Sequence, residues 1–142
     1  MKHSVLIILI CVFISCSKTP EPINYGTDVC YYCKMTIVTK THAAQMVNSK
    51  GKQYKFDAIE CMIRFLDDKP VIVSESNLLV TDYNSPGTMI DAKKASYIIS
   101  EKISSPMGAN LTGFNSMDAA KEVINNTSAA YFDWEGIFKK LN

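Results

Sequence analysis

Beyond residue 16 this chain has a single histidine, His42, and no second Cys-x-x-Cys to match Cys30 and Cys33. A tetrahedral zinc site can therefore draw on at most three thiols and one imidazole. Haem attachment is excluded, because Lys34 and not histidine follows Cys33. Charge of one sign is also lacking: without Lys2 the fifteen basic residues become fourteen, equal to the fourteen acids. That balance gives no basis for a nucleic-acid partner. The one long apolar run is too short to span a bilayer permanently as a helix. No nucleophile–base pair, carboxylate dyad or phosphate loop is visible, so the expectation is a binding protein without catalysis.

Residues 1–15 read as an export signal. Lys2 and His3 make a short positive start, and Val5 to Ile14 is almost unbroken apolar, the length of a signal core. Phe13-Ile14-Ser15-Cys16 resembles a bacterial lipobox, in which the cysteine is acylated and becomes the first mature residue. The polar stretch Ser17 to Pro22 carries two prolines and suits a tether, so residues 16–27 are expected to link the domain to acyl chains on Cys16. The rival reading is a secretory signal with an incidental cysteine. Residues 28–142 suit one compact domain, or two small intimate units over about 28–92 and 93–142.

Against these absences stands Asp28-Val29-Cys30-Tyr31-Tyr32-Cys33-Lys34-Met35, with two thiols and a thioether within six positions. Two residues between the thiols let both sulfurs turn inward on one ion. Cu(I) accepts two or three soft ligands, whereas zinc usually takes four, so a metal site here points to Cu(I). If Cys16 carries lipid, three thiols remain, and an odd number argues against a pure disulfide framework. Cys30 and Cys33 can still be read as a disulfide or redox pair. A thioredoxin-type pair sits at a helix N-terminus, and the β-branched residues after Met35 favour an extended chain instead. Met107 is a second candidate ligand, because Pro106 and Gly108 hold it in a loop away from any apolar stripe. Cys61 falls off its helix stripe and reads as a buried structural thiol, with a ligand role in reserve. His42 reads as a surface residue.

An α+β chain is expected. Thr36 to Thr39 reads as extended, and Ala43–Asn48 with Gln53–Phe56 as a hairpin around Ser49-Lys50-Gly51-Lys52. Asp57 and Glu60 have the spacing of a capping box, followed by the stripe Ile59, Met62, Ile63 and Leu66. Further strands are expected over Val71–Ser74, Leu78–Tyr83, Ala95–Ser100 and Ala109–Phe114. A helix capped by Asn115 or Ser116 should run to about Asn125, and Asp133 should start a last one. Lys55-Phe56-Asp57-Ala58-Ile59 and Gly113-Phe114-Asn115-Ser116-Met117 echo each other as strand-then-helix junctions. The echo suggests two related β-β-α-β units built on small mixed or antiparallel sheets.

In their order along the chain these pieces resemble the NosL family: the signal ending at Cys16, Asp28-x-Cys30-x-x-Cys33-x-Met35, Ala44-Gln45 before the Gly51 turn, Phe56-Asp57 ahead of Cys61-Met62, and Pro106-Met107-Gly108 before Phe114. The resemblance implies an extracytoplasmic lipoprotein facing the periplasmic space that binds Cu(I). It implies copper delivery toward nitrous oxide reductase with an ABC-type membrane complex, and a fold akin to organomercurial lyase. Met107 matches the family's loop methionine, and Cys30, Cys33 and Met35 its short motif. Many members place glycine where this chain has Lys34.

Overall fold

Residues 18–69, 75–125 and 128–142 are described by the computed structural model. The first sheet joins β1 (Ala44–Val47), β2 (Gln53–Phe56), β3 (Asn77–Thr81) and β4 (Met89–Asp91) in the order β2-β1-β3-β4. The second joins β5 (Ser96–Ile99), β6 (Leu111–Phe114) and β7 (Ala130–Phe132) in the order β6-β5-β7. Every pairing is antiparallel. Helix α1 (Ile59–Asp67) follows β2, α2 (Met117–Ile124) follows β6, and α3 (Trp134–Leu141) closes the chain.

The echo at the two junctions is structural. In each half the first strand pairs with the second, the second leads into a helix, and the third strand returns beside the first. Phe56 lies opposite Ala44, the first residue of β1, as Phe114 lies opposite Ser96, the first of β5. Gly113 takes the place that Lys55 holds in the first half. A Cβ there would meet Ile59 Cδ1 at 3.2 Å and the Thr81 carbonyl at 3.3 Å, so glycine permits the close approach of the two halves. Tyr83 N–H donates to the Gly113 carbonyl at 2.9 Å across the same seam.

Local chemistry explains the hairpin and two of the helix starts. Asn48 Oδ1 accepts from the N–H groups of Lys50 and Lys52 at 3.0 and 2.9 Å, which closes the β1–β2 turn. Ser116 caps α2 by accepting from Ala119 N–H, and Asp133 caps α3 by accepting from Gly136 N–H. All four residues of β1 are buried because both of its faces are covered. Helix α1 packs on one of them. On the other, Gln45 donates to the Glu21 carbonyl at 2.9 Å and Lys55 to the Pro22 carbonyl at 2.8 Å, so the polar segment read as a tether lies along the sheet.

Several expectations need correction. Asp57 does not cap α1: the N-cap is Ala58, with no side-chain cap bond. Both acids of the apparent capping box are buried and engaged elsewhere. Thr36–Thr39 is not a strand, and only Thr36 forms an isolated bridge, with Val29. His42 is buried, its ring between the hydroxyls of Thr41 and Thr112 at 2.8 and 3.5 Å. β4 and β7 were not anticipated. The strand expected over Val71–Ser74 lies outside the described residues, as does Cys16.

Candidate metal centre

The loop bearing Cys30 and Cys33 is shaped by backbone bonds. Cys30 N–H donates to the Met35 carbonyl at 2.8 Å, and Lys34 N–H to the Cys30 carbonyl at 3.1 Å. Ile37 N–H reaches the Asp28 carbonyl at 2.9 Å, so the segment doubles back on itself. The reversal places Lys34 at φ +66°, a region glycine enters freely and other residues enter at about 1 kcal/mol or more. Tyr31 N–H donates to the Lys55 carbonyl at 2.8 Å, which docks the loop on the free edge of β2. The Tyr31 ring stands edge-on to Tyr54 and Phe65, with centroids 4.8 and 5.3 Å away. Asp28, bonded to Lys55 Nζ at 2.7 Å, holds the base of the loop.

Folding then brings a third thiol to the first two. Cys30, Cys33 and Cys61 have sulfurs all within 4.8 Å of one another, and none is in a disulfide. Two metal–sulfur bonds of roughly 2.3 Å span about 4.6 Å at most, so three sulfurs this close suit one shared soft ion. Cys30 and Cys61 are buried and Cys33 is half-buried, which makes Cys33 the side open to solvent.

Asp57, lost as a cap, ties this site together. Its backbone N–H helps to lower the Cys30 thiol, and the Val38 N–H acts in the same sense on its own carboxyl. Its Oδ1 is buried with no hydrogen-bond partner. Burial pushes the Asp57 carboxyl up, against the Val38 bond.

The three thiols do not share charge evenly. The Cys30 thiol is pulled down to about 5, first by the hydrogen bond from Cys61, against burial, and then by the N–H groups of Asp57 and Cys33. The Cys61 thiol is raised, first because it donates to Cys30 and then by burial. Cys33 is raised by burial, against a bond from Met35 N–H, with the Cys30 charge adding to the rise. The site thus pairs one sulfur whose thiol is lowered with two whose thiols are raised, and a bound cation would displace the protons of all three.

Of the residues singled out in the sequence, Cys30 and Cys33 meet, and Cys61 joins them from reserve. Its position off the stripe does not expose it, because α1 packs against β1, β2, β6 and α3 and so has almost no free face. Met35 reaches Cys33 through its backbone, while its side chain is exposed at the rim. Met107 is half-buried against the core that contains Cys30 and Cys61. Its loop is pinned to the first turn of α1: Ser105 Oγ donates to the buried Glu60, the residue before Cys61, and itself accepts from Asn110 N–H at 2.9 Å. His42 is not part of the group.

This arrangement is that of a small α+β protein with a candidate soft-metal centre, its three thiols drawn from a loop and from a buried helix. A model of the NosL family matches residues 23–140, and the chain belongs to that family. Among solved structures it is similar to the copper chaperone NosL from Shewanella denitrificans, at a TM-score of 0.69 and 18% identity, over 84% of this chain and 95% of that one. That likeness speaks for the fold. No curated protein matches the chain. Among the described residues no helix is long and apolar enough to cross a membrane.

Proposed function

We propose that this protein is an extracytoplasmic Cu(I) chaperone, held at a membrane by acyl chains on Cys16. It carries copper for the maturation of nitrous oxide reductase, alongside an ABC-type membrane complex, and performs no catalysis. One observation carries the metal reading: the convergence of Cys30, Cys33 and Cys61 with no His, Asp or Glu in the group. Three soft donors suit trigonal Cu(I) and leave tetrahedral zinc one ligand short. Met107 and Met35 are proposed as thioether donors that join or leave as copper moves. A thiol–disulfide oxidoreductase fits less well. Its nucleophile must be a reachable thiolate, and here the low-pKa sulfur, Cys30, is fully buried.

Anaerobic titration of the reduced protein should show one tightly held Cu(I) per chain that zinc does not displace. Tighter zinc binding would remove the copper reading. Cys16→Ser should stay unprocessed or leave the membrane fraction, and unchanged processing and retention would rule out the anchor. Cells whose only copy carries Cys30→Ser and Cys61→Ser should assemble nitrous oxide reductase short of copper. Normal copper loading in those cells would rule out that acceptor.

A further inference from the structure

Seven large apolar side chains are exposed among the described residues, and five of them, Val29, Tyr31, Tyr32, Met35 and Val38, lie within one ten-residue stretch around Cys33. Val38 is 63% exposed and Val29 52%, values far from those of core residues. Scattered single exposures are ordinary, but a cluster of this kind on one loop marks a contact surface. The loop beneath is held in shape by the Asp28–Lys55 pair, the Lys55 carbonyl and the rings of Tyr54 and Phe65, so the surface is formed in advance of any contact.

Lysines gather in the same part of the chain. Residues 29–56 contain five lysines, Lys34, Lys40, Lys50, Lys52 and Lys55, and no acid, in a chain whose charges nearly balance overall. Lys55 is neutralised by Asp28, while the other four are exposed and form no ion pair among the described residues. The Lys34 and Lys52 ammonium groups lie 4.7 and 5.6 Å from the Tyr31 ring centroid, at the border of the apolar area.

We propose that this face is the docking surface for a copper-exchange partner: a protein with a carboxylate-rich rim around an apolar centre that presents two cysteine thiols of its own. The proposal rests on the copper reading above and adds the chemistry of the acceptor. The lysine rim steers an acidic partner and sets its orientation. The apolar centre excludes water from the sulfurs while copper crosses. Cys33, the half-open thiol, is the ligand that a partner sulfur meets first. Copper passes as Cu(I) with no electron transferred. Two Cu–S bonds to the partner's thiols replace those to Cys33 and Cys61, whose thiolates take the two thiol protons, and the Cys30 bond breaks last and leaves that sulfur a thiolate. An anionic membrane would also answer to apolar groups ringed by lysine. It would cover Cys33 without offering a soft ligand, and for that reason a protein is the occupant that fits.

The test uses the copper-loaded full chain in neutral detergent. The probes are a synthetic peptide with one Cys-x-x-Cys flanked by Glu and Asp, its Gln and Asn twin, and dithiothreitol. Copper should pass to the acidic peptide at least tenfold faster than to the neutral twin at low salt, and the advantage should collapse in high salt. Lys40→Glu with Lys52→Glu should remove that advantage, and Val38→Ser should slow transfer several-fold. Transfer to dithiothreitol should be the same in every variant. Equal rates for the two peptides overturn the proposal, as do variants that slow dithiothreitol equally. Phosphatidylglycerol vesicles that lose binding in the lysine variant, with peptide transfer unaffected, make the face a membrane surface and also overturn it. Failure to load copper at the outset overturns the copper reading instead.

Discussion

Glu60 and Ser105 lie 45 positions apart and share a buried hydrogen bond, Ser105 Oγ donating to Glu60 Oε1. The bond fastens the loop of Met107 to the first turn of α1, one residue from Cys61. The other Glu60 oxygen is buried without a partner, so the carboxylate is spent on this loop and not on capping its own helix.

The Met107 loop can be tested through that bond. Met107→Leu conserves volume and should cost less than about 1.5 kcal/mol in stability. It should still weaken Cu(I) binding and remove one sulfur neighbour in X-ray absorption. Ser105→Ala should cost on the order of 1–3 kcal/mol, because it strands a buried acceptor. It should weaken copper binding as Met107→Leu does and add little to it in the double variant. A copper affinity that holds in Met107→Leu while melting falls sharply would make the methionine core packing.

Cys61→Ser is the sharpest probe of the thiol cluster. It keeps a hydroxyl beside Cys30 but removes the third soft donor. Copper binding should weaken at least tenfold, with one sulfur fewer around the ion and far-ultraviolet dichroism unchanged. Binding as tight as in the parent chain would leave the site to the loop pair and Met107.

Stability of the reduced, metal-free protein should pass through a maximum with pH. Cys30 falls from 9.0 in the ordinary thiol to about 5, so its contribution is complete above about 9 and is lost as pH falls toward 5. Cys33 and Cys61 are raised above 9.0, so their contribution is complete below that value and is lost as pH rises past it. Denaturant titrations from pH 5 to 10 should therefore peak near 9. Cys30→Ser should flatten the acidic arm, and an unchanged arm would mean that another group carries it.

Lys34 occupies a left-handed conformation and places its ammonium over Tyr31. Glycine there should regain about 1 kcal/mol of backbone strain and lose roughly 0.5–1 kcal/mol of ring contact, for a net change near zero. Alanine keeps the strain and loses the contact, so Lys34→Ala should be the less stable of the two variants. Thermal melts of both, compared with the parent, check the order.

What could be read in advance was local. Cys30 and Cys33 are neighbours in sequence, and the junctions at Phe56 and Phe114 repeat a short pattern, so both were visible. Cys61 was legible as a thiol with only a reserve role, and its approach to Cys30 and Cys33 was not. An apolar stripe locates one buried face, whereas α1 is enclosed by β1 and β2 of its own half and by β6 and α3 of the second. Asp57 and Glu60 misled for a related reason: their spacing matches a cap, but burial assigned one to the thiol loop and the other to Ser105. β4 and β7 span three residues each and are mostly exposed or half-buried, so they carry no alternation to detect.

The segment laid along β1 and β2 sets the length of the leash. Gln53 Nε2 already holds the Thr19 carbonyl at 3.2 Å, and only two residues separate Thr19 from Cys16. Three residue steps of extended chain reach on the order of 10 Å. With acyl chains on Cys16, the domain would skim the headgroups and not swing through the surrounding volume. A search for a membrane-bound acceptor would then be two-dimensional, at the high effective concentration that a short tether confers.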